Sequence, residues 1–149
     1  MILADESPEC RVALRYAALR AAHTGGRLTL LYVIEPAEFM HWASVAEKMQ
    51  EDAREEAERL LYELAGEANK VSGGLLPELL IREGTAKEEV LSAAREDPTI
   101  RLLVLGAGVG REGPGPIVSA LAKDIVSIYP IPVTIVPGNL TPDVVDLIA

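Results

Sequence analysis

From Pro8 to His23 the apolar positions recur three and four residues apart. Cys10, Ala13, Leu14, Ala17, Ala18 and Ala21 share one face, while Arg11 and Arg15 take another. This spacing predicts a helix with a small-residue inner face, able to lie close to a sheet. Ser7 is placed to cap it, Pro8 suits the first helical position, and Thr24-Gly25-Gly26 ends it. Met1 to Ala4, ahead of the helix, is a short apolar stub that reads as the end of a strand. Arg27 to Ile34 (RLTLLYVI) is a β-rich run of strand length, broken by Glu35-Pro36.

A second helical pattern runs from about Phe39 to Asn69. Trp42, Val45, Met49, Ala53, Ala57, Leu60, Leu64 and Ala68 form its stripe, and the acidic residues between them read as a solvated face. Leu75 to Arg82 follows as a third strand, with Pro77 near its start. Thr85 and Glu88 have the spacing of a capping box, opening a helix that turns Val90, Leu91 and Ala94 inward. Ile100 to Leu105 (IRLLVL) is the clearest buried strand. The segment GAGVGREGPGP (106–116) comes next, then a helix over Ile117 to Ile128 and a short strand over Val133 to Val136. Thr141 and Pro142 open a last short helix in the tail, residues 140–149. Strands alternating with helices indicate βαβ units, and hence a doubly wound α/β domain with a parallel sheet, spanning 1–149.

Composition narrows the picture. The 149 residues hold one Trp, one Phe and four Tyr, so the core is aliphatic, as strands covered on both faces require. A net charge of −9 repels nucleic acid and anionic lipid. One cysteine, Cys10, allows no intramolecular disulfide and reads as a small buried helix residue. No apolar run reaches the roughly 18 residues of a membrane span, and no targeting segment is visible, so the cytoplasm is the expected compartment.

Chemistry should gather beyond the carboxyl ends of the strands, where the strand order switches. Asp5 after the first strand, Val33 at the end of the second and the glycines after Leu105 should meet there. Glycines let backbone N–H groups approach an anion, the helix from Ile117 adds its positive end, and Ser119 offers a hydroxyl. The loop matches neither GxxxxGK[ST] nor GxGxxG, so from spacing two readings stand: a phosphate cradle, or a strand-to-helix connection without a ligand. Asp5 likewise reads as a ligand contact or as an aid to the Ser7 cap. A phosphoacceptor site is disfavoured, since no Asp ends the strand at Leu105 and no Lys follows the last strand. His23 and His41 are isolated. His23, at a helix end, is expected to interact with the last carbonyls of that helix. No nucleophile, triad or metal cluster is evident.

The stretches ADESPECRVALRYA (4–17), RLTLLYVIEP (27–36) and LLVLGAGVG…VSALAKDIVSIYPIPVTIVP (102–137) resemble a universal stress protein, over nearly the whole chain. The resemblance implies a five-stranded parallel sheet of order 3-2-1-4-5, of the adenine nucleotide alpha hydrolase-like type. It implies a regulatory homodimer paired through Val133 to Val136. It also implies ATP or a related adenine nucleotide, with Mg²⁺, at Asp5, Val33, Leu105, Gly106, Gly108, Gly110 and Ser119. Such a module acts in stress response as a sensor and not as a metabolic enzyme, with hydrolysis slow or absent. The family's nucleotide signature is two glycines separated by two residues, then nine residues, then Gly followed by Ser or Thr. Here Gly106 matches the first glycine, and the second falls on Gly108 or Gly110, off the expected spacing. Val118 replaces the later glycine, and Ser119 is in place. That departure supports an alternative, a stress protein working by protein contacts alone, and a third reading is a weak ATPase using Glu112 or Asp5.

Overall fold

The structure is a computed structural model, and it describes residues 1–36, 43–111, 113–120 and 130–149. The chain runs β1 (Ile2–Leu3), α1 (Pro8–Thr24), β2 (Thr29–Ile34), α2 (Ala43–Ser72), β3 (Glu78–Glu83), α3 (Ala86–Glu96) and β4 (Leu103–Ala107). A helical segment over residues 116–120, α4, then β5 (Val133–Pro137) and α5 (Pro142–Ile148) complete the described elements. The five strands form one sheet in the order β3-β2-β1-β4-β5, all parallel, as expected.

Alternation along the strands divides the core between the two faces. Ile2, Leu30, Val104 and Val136 face α1 and α2, packing with Ala13, Leu14, Ala17, Leu60, Leu61 and Leu64. Leu3, Leu31, Leu103 and Leu105 point the other way, toward Ala86, Val90 and Ala93 of α3 and Val118 of α4. Register follows: Ile2 lies beside both Leu30 and Val104, and Leu105 lies beside Ile135.

Helix α1 matches its pattern. Its buried residues are Cys10, Ala13, Leu14, Ala17, Ala18 and Ala21, and Gly25 closes it in the left-handed conformation at φ 64°. Small side chains on that face let the helix axis come close to β1 and β4. Other elements differ from expectation. Leu75 and Leu76 precede β3 instead of joining it, and Leu76 is 82% exposed. Pro77 has no N–H to give, so pairing begins one residue later, where Glu78 N–H donates to the Leu28 carbonyl at 2.8 Å.

Strand β4 is shifted toward its carboxyl end. Ile100 N–H closes a turn on the Asp97 carbonyl at 3.1 Å, and the ladder runs on through Gly106 and Ala107. In α2, among residues 47–72, the buried stripe starts at Ala57 and includes Leu61, whereas Met49 is 50% exposed. Trp42 and residues 121–129 of the expected last long helix lie outside the described residues. At α3, Thr85 Oγ1 accepts the Glu88 N–H at 3.4 Å and donates to Glu88 Oε2 at 2.9 Å, so the carboxylate meets the hydroxyl and not the Thr85 N–H.

Tail helix α5 lies against α1. Arg15 grips Asp146 through two bonds, Nε–Oδ1 at 2.6 Å and Nη2–Oδ2 at 2.7 Å, and Val145 is buried. His23 Nδ1 lies 3.1 Å from the Ala149 carbonyl oxygen and so serves the tail, not the end of its own helix.

Candidate functional site

Strand order reverses between β1 and β4, and a crevice opens at the carboxyl ends of those two strands. A short relay of hydrogen bonds builds its first wall. Asp5 Oδ1 accepts the Ser7 N–H at 2.7 Å, and Ser7 Oγ accepts the Cys10 N–H at 3.1 Å as the cap of α1. The Asp5 N–H in turn donates to Cys10 Sγ at 3.4 Å. Asp5 is therefore fixed by the turn into α1, and its carboxylate also lines the crevice. Burial pushes the Cys10 thiol up to about 11. It is a packing group and a backbone acceptor, not a nucleophile.

Glycines build the second wall, and they do two different jobs. Gly106 belongs to β4, beside Val136. A Cβ there would stand 2.5 Å from the carbonyl carbon of Glu9 and 2.9 Å from the Cys10 nitrogen. Only glycine admits this contact between the first turn of α1 and the strand. Gly138 does the same after β5, where a Cβ would meet Glu9 Cβ at 3.0 Å and the Ala107 oxygen at 3.1 Å. Gly113 and Gly115 serve the loop itself: at φ 83° and 97° they hold turns that side chains resist. Gly113 N–H donates to the Gly110 carbonyl at 3.1 Å, which folds the loop back on itself.

Between the walls lies a cavity of about 510 Å³, lined by Asp5, Ser7, Glu9, Gly106, Gly108 and the segment from Gly113 to Ser119. The N–H groups of Ile117 and Val118, in the first turn of α4, have no hydrogen-bond partner among the described residues. Ser119 is exposed at the rim, its own N–H bonded to the Gly115 carbonyl at 3.0 Å. Asp5, Gly106, Gly108 and Ser119 of the expected set thus come together around one space. Leu105 lies behind them in the core, and Gly110 is exposed and does not line the cavity.

Val33 lines a separate cavity of about 420 Å³ with Tyr32, Ile34, Glu35, Ala53 and Glu56. Burial and then the carboxylates of Glu6, Glu56 and Asp5 raise the Tyr32 phenol above the ordinary value. Around it Arg59 pairs with Glu56 and, at 3.6 Å, with Glu6. Glu112 lies outside the described residues, as does His41.

Three contributors were absent from the sequence reading. Ser7 was read only as a cap, yet it also lines the cavity. Glu9 and Gly138 carried no signal, because their meeting depends on where α1 crosses the sheet. Val118, which breaks the glycine signature, is 6% exposed and packs into the apolar cluster beneath α3. Its side chain fills the core as well as bordering the cavity. Among the described residues no group of three or more His, Cys, Asp or Glu is arranged to hold a metal ion.

A parallel sheet in the order β3-β2-β1-β4-β5, with a glycine-bounded crevice at its switch point, defines a small doubly wound α/β protein. Within that fold class, residues 1–137 match the model of the universal stress protein family, and the chain belongs to that family. No curated protein sequence matches it. Solved structures similar to it include universal stress protein UspA from Lactobacillus plantarum, at 23% identity and a TM-score of 0.70, covering 91% of this chain and 95% of that one. A universal stress family protein from Burkholderia pseudomallei aligns at 24% identity and a TM-score of 0.67, over 91% and 94% of the two chains. A universal stress protein in complex with cAMP aligns at 18% identity and a TM-score of 0.61, over 91% and 94%. At these identities the likeness is one of fold. No helix among the described residues is long and apolar enough to cross a membrane.

Proposed function

We propose that this chain is a stress-response module that binds an adenine nucleotide, ATP or a related one, in the glycine-loop cavity and acts as a regulatory homodimer. The carrying observation is the cavity itself. Loop glycines, the N–H groups of Ile117 and Val118, which have no partner among the described residues, the Ser119 rim and Asp5 surround one space at the strand-order switch. The loop and N–H groups offer the donors a phosphate needs, and Asp5 offers an acceptor for a ribose or base. Asp5, Gly106, Gly108 and Ser119 are the proposed contacts around this cavity, with the Val33 cavity as the adenine end; of the other expected residues, Leu105 supports the site from the core and Gly110 does not line the cavity. Mg²⁺ would enter with the phosphates, since no group of three or more potential protein ligands is arranged to hold it among the described residues. Membership of the family and the cAMP complex of one relative support a nucleotide as the class of ligand.

A second reading has its own observation. Asp5 and Glu9 are the charged groups among the described residues lining the loop cavity, and both are acidic. That lining suits a member that binds no nucleotide and works through protein contacts. Calorimetric titration with ATP and Mg²⁺, beside analysis of any nucleotide released on denaturing fresh protein, separates the two. Saturable binding in the micromolar range is expected. Protein that purifies empty and ignores millimolar ATP would establish the second reading instead.

A further inference from the structure

The geometry points to Glu9 as the residue that sets which adenine nucleotide this cavity accepts: its carboxylate is a built-in anion that lowers affinity in proportion to the phosphate charge a ligand brings. The inference rests on the nucleotide reading above and concerns the same cavity. Glu9 sits in the first turn of α1, half-buried. Its stem is pinned by the chain leaving β5, because Gly138 comes so close that a side chain there would run into Glu9 Cβ and Cγ. Its carboxylate stands against the loop, with Oε1 3.4 Å from where a Gly108 Cβ would lie. This is where a phosphate cradled by the glycine loop would approach.

No side-chain hydrogen bond or ion pair engages the Glu9 carboxylate among the described residues. No described arginine pairs with Glu9: Arg11 pairs with Glu63 and Glu67, Arg15 with Asp146, and Arg59 with Glu6, Glu56 and Glu63, while Arg111 of the loop is exposed and outside the cavity lining. Asp5, the other charged group of the lining among the described residues, adds to the negative potential and does not relieve it. A like-charge pair at about 4 Å weakens binding roughly fivefold even at the dielectric of bulk water. The penalty grows with each phosphate, so a triphosphate suffers most and an uncharged nucleoside not at all.

The test is a calorimetric comparison of adenosine, adenosine monophosphate and ATP, all free of divalent cations, on the wild-type chain and on Glu9→Gln. Glutamine keeps the stem that Gly138 holds and removes only the charge. Adenosine affinity should stay within about twofold, the monophosphate should tighten about fivefold, and ATP should tighten more, on the order of tenfold or above. An equal change for all three ligands, or no change for any, would overturn the role of Glu9 while leaving nucleotide binding intact. Failure of both proteins to bind any of the three would overturn the nucleotide reading itself. The wild-type chain gives an independent check, should the variant fold poorly. Raising KCl from about 0.05 M to 0.5 M should favour ATP relative to adenosine, because salt screens the repulsion, and a shift the other way would contradict the proposal.

Discussion

Gly106 illustrates how one residue carries more than its motif suggests. As the first glycine of the family signature it reads as a phosphate contact, yet it lies within β4, and its missing side chain is the space taken by the Glu9 backbone. Gly106→Ala should therefore destabilise the fold by about 1–3 kcal/mol through overpacking, read from the midpoint of urea unfolding. An unchanged midpoint would mean that the close contact between α1 and β4 is absent. Loss of ligand binding in a Gly106 variant is thus no test of the site by itself. Cys10 makes a complementary case. With its thiol raised to about 11 by burial, it should resist a disulfide reagent at pH 8 in native protein and react fully in urea. Rapid native labelling would contradict the packing of α1. Cys10 and Asp5 were legible as a packing residue and a capping aid because both roles are local. Glu9 and Gly138 were not, since they are 129 positions apart and meet only through the sheet.

At the scale of elements, periodicity identified each helix face where one stripe is buried along the whole length. It gave α1 almost residue for residue. It overreached in α2, whose residues 47–52 stand clear of the core, so Met49 continues the stripe in spacing but not in burial. Strand limits were less legible, because pairing and not hydropathy sets them. Pro77 delays β3, and the Asp97 turn delays β4. The contact between α3 and β3 also has a definite dependence on pH. The Arg82 guanidinium, at 2.6 Å, and then the Ser92 hydroxyl hold the Glu96 carboxyl at about 2, below its ordinary 4.5. A depressed folded value stabilises the fold above pH 4.5, and the contribution is lost as pH falls from 4.5 through about 2. Glu96→Gln should make the urea midpoint less sensitive to pH over that window while leaving the dependence above pH 5 unaltered. The same slope in variant and wild type would remove this pair from the acid response. The group is exposed, so the effect should be small.

For the whole molecule, the doubly wound topology was legible because five apolar strands and the helices between them admit few right-handed arrangements. The two sheet edges differ in a way that bears on assembly. The β3 edge carries Glu78, Arg82 and Glu83, charges that oppose pairing, whereas β5 offers Val133, Thr134, Ile135 and Val136 without a charge, and Ile135 is 42% exposed. If β5 pairs with a second copy, Ile135→Lys should convert a dimer into a monomer by light scattering at micromolar concentration. A wild-type monomer, or a variant that stays dimeric, would exclude that edge. The central claim, that an adenine nucleotide occupies the cavity between Asp5 and the glycine loop, is tested most directly by amide chemical-shift mapping. Isotope-labelled protein is titrated with ATP and Mg²⁺, and each backbone N–H is followed. The expected result is saturable shifts concentrated at Asp5, Gly106, Gly108, Gly113, Gly115 and residues 117–119. Shifts confined to other surfaces, or none at millimolar ligand, would contradict it.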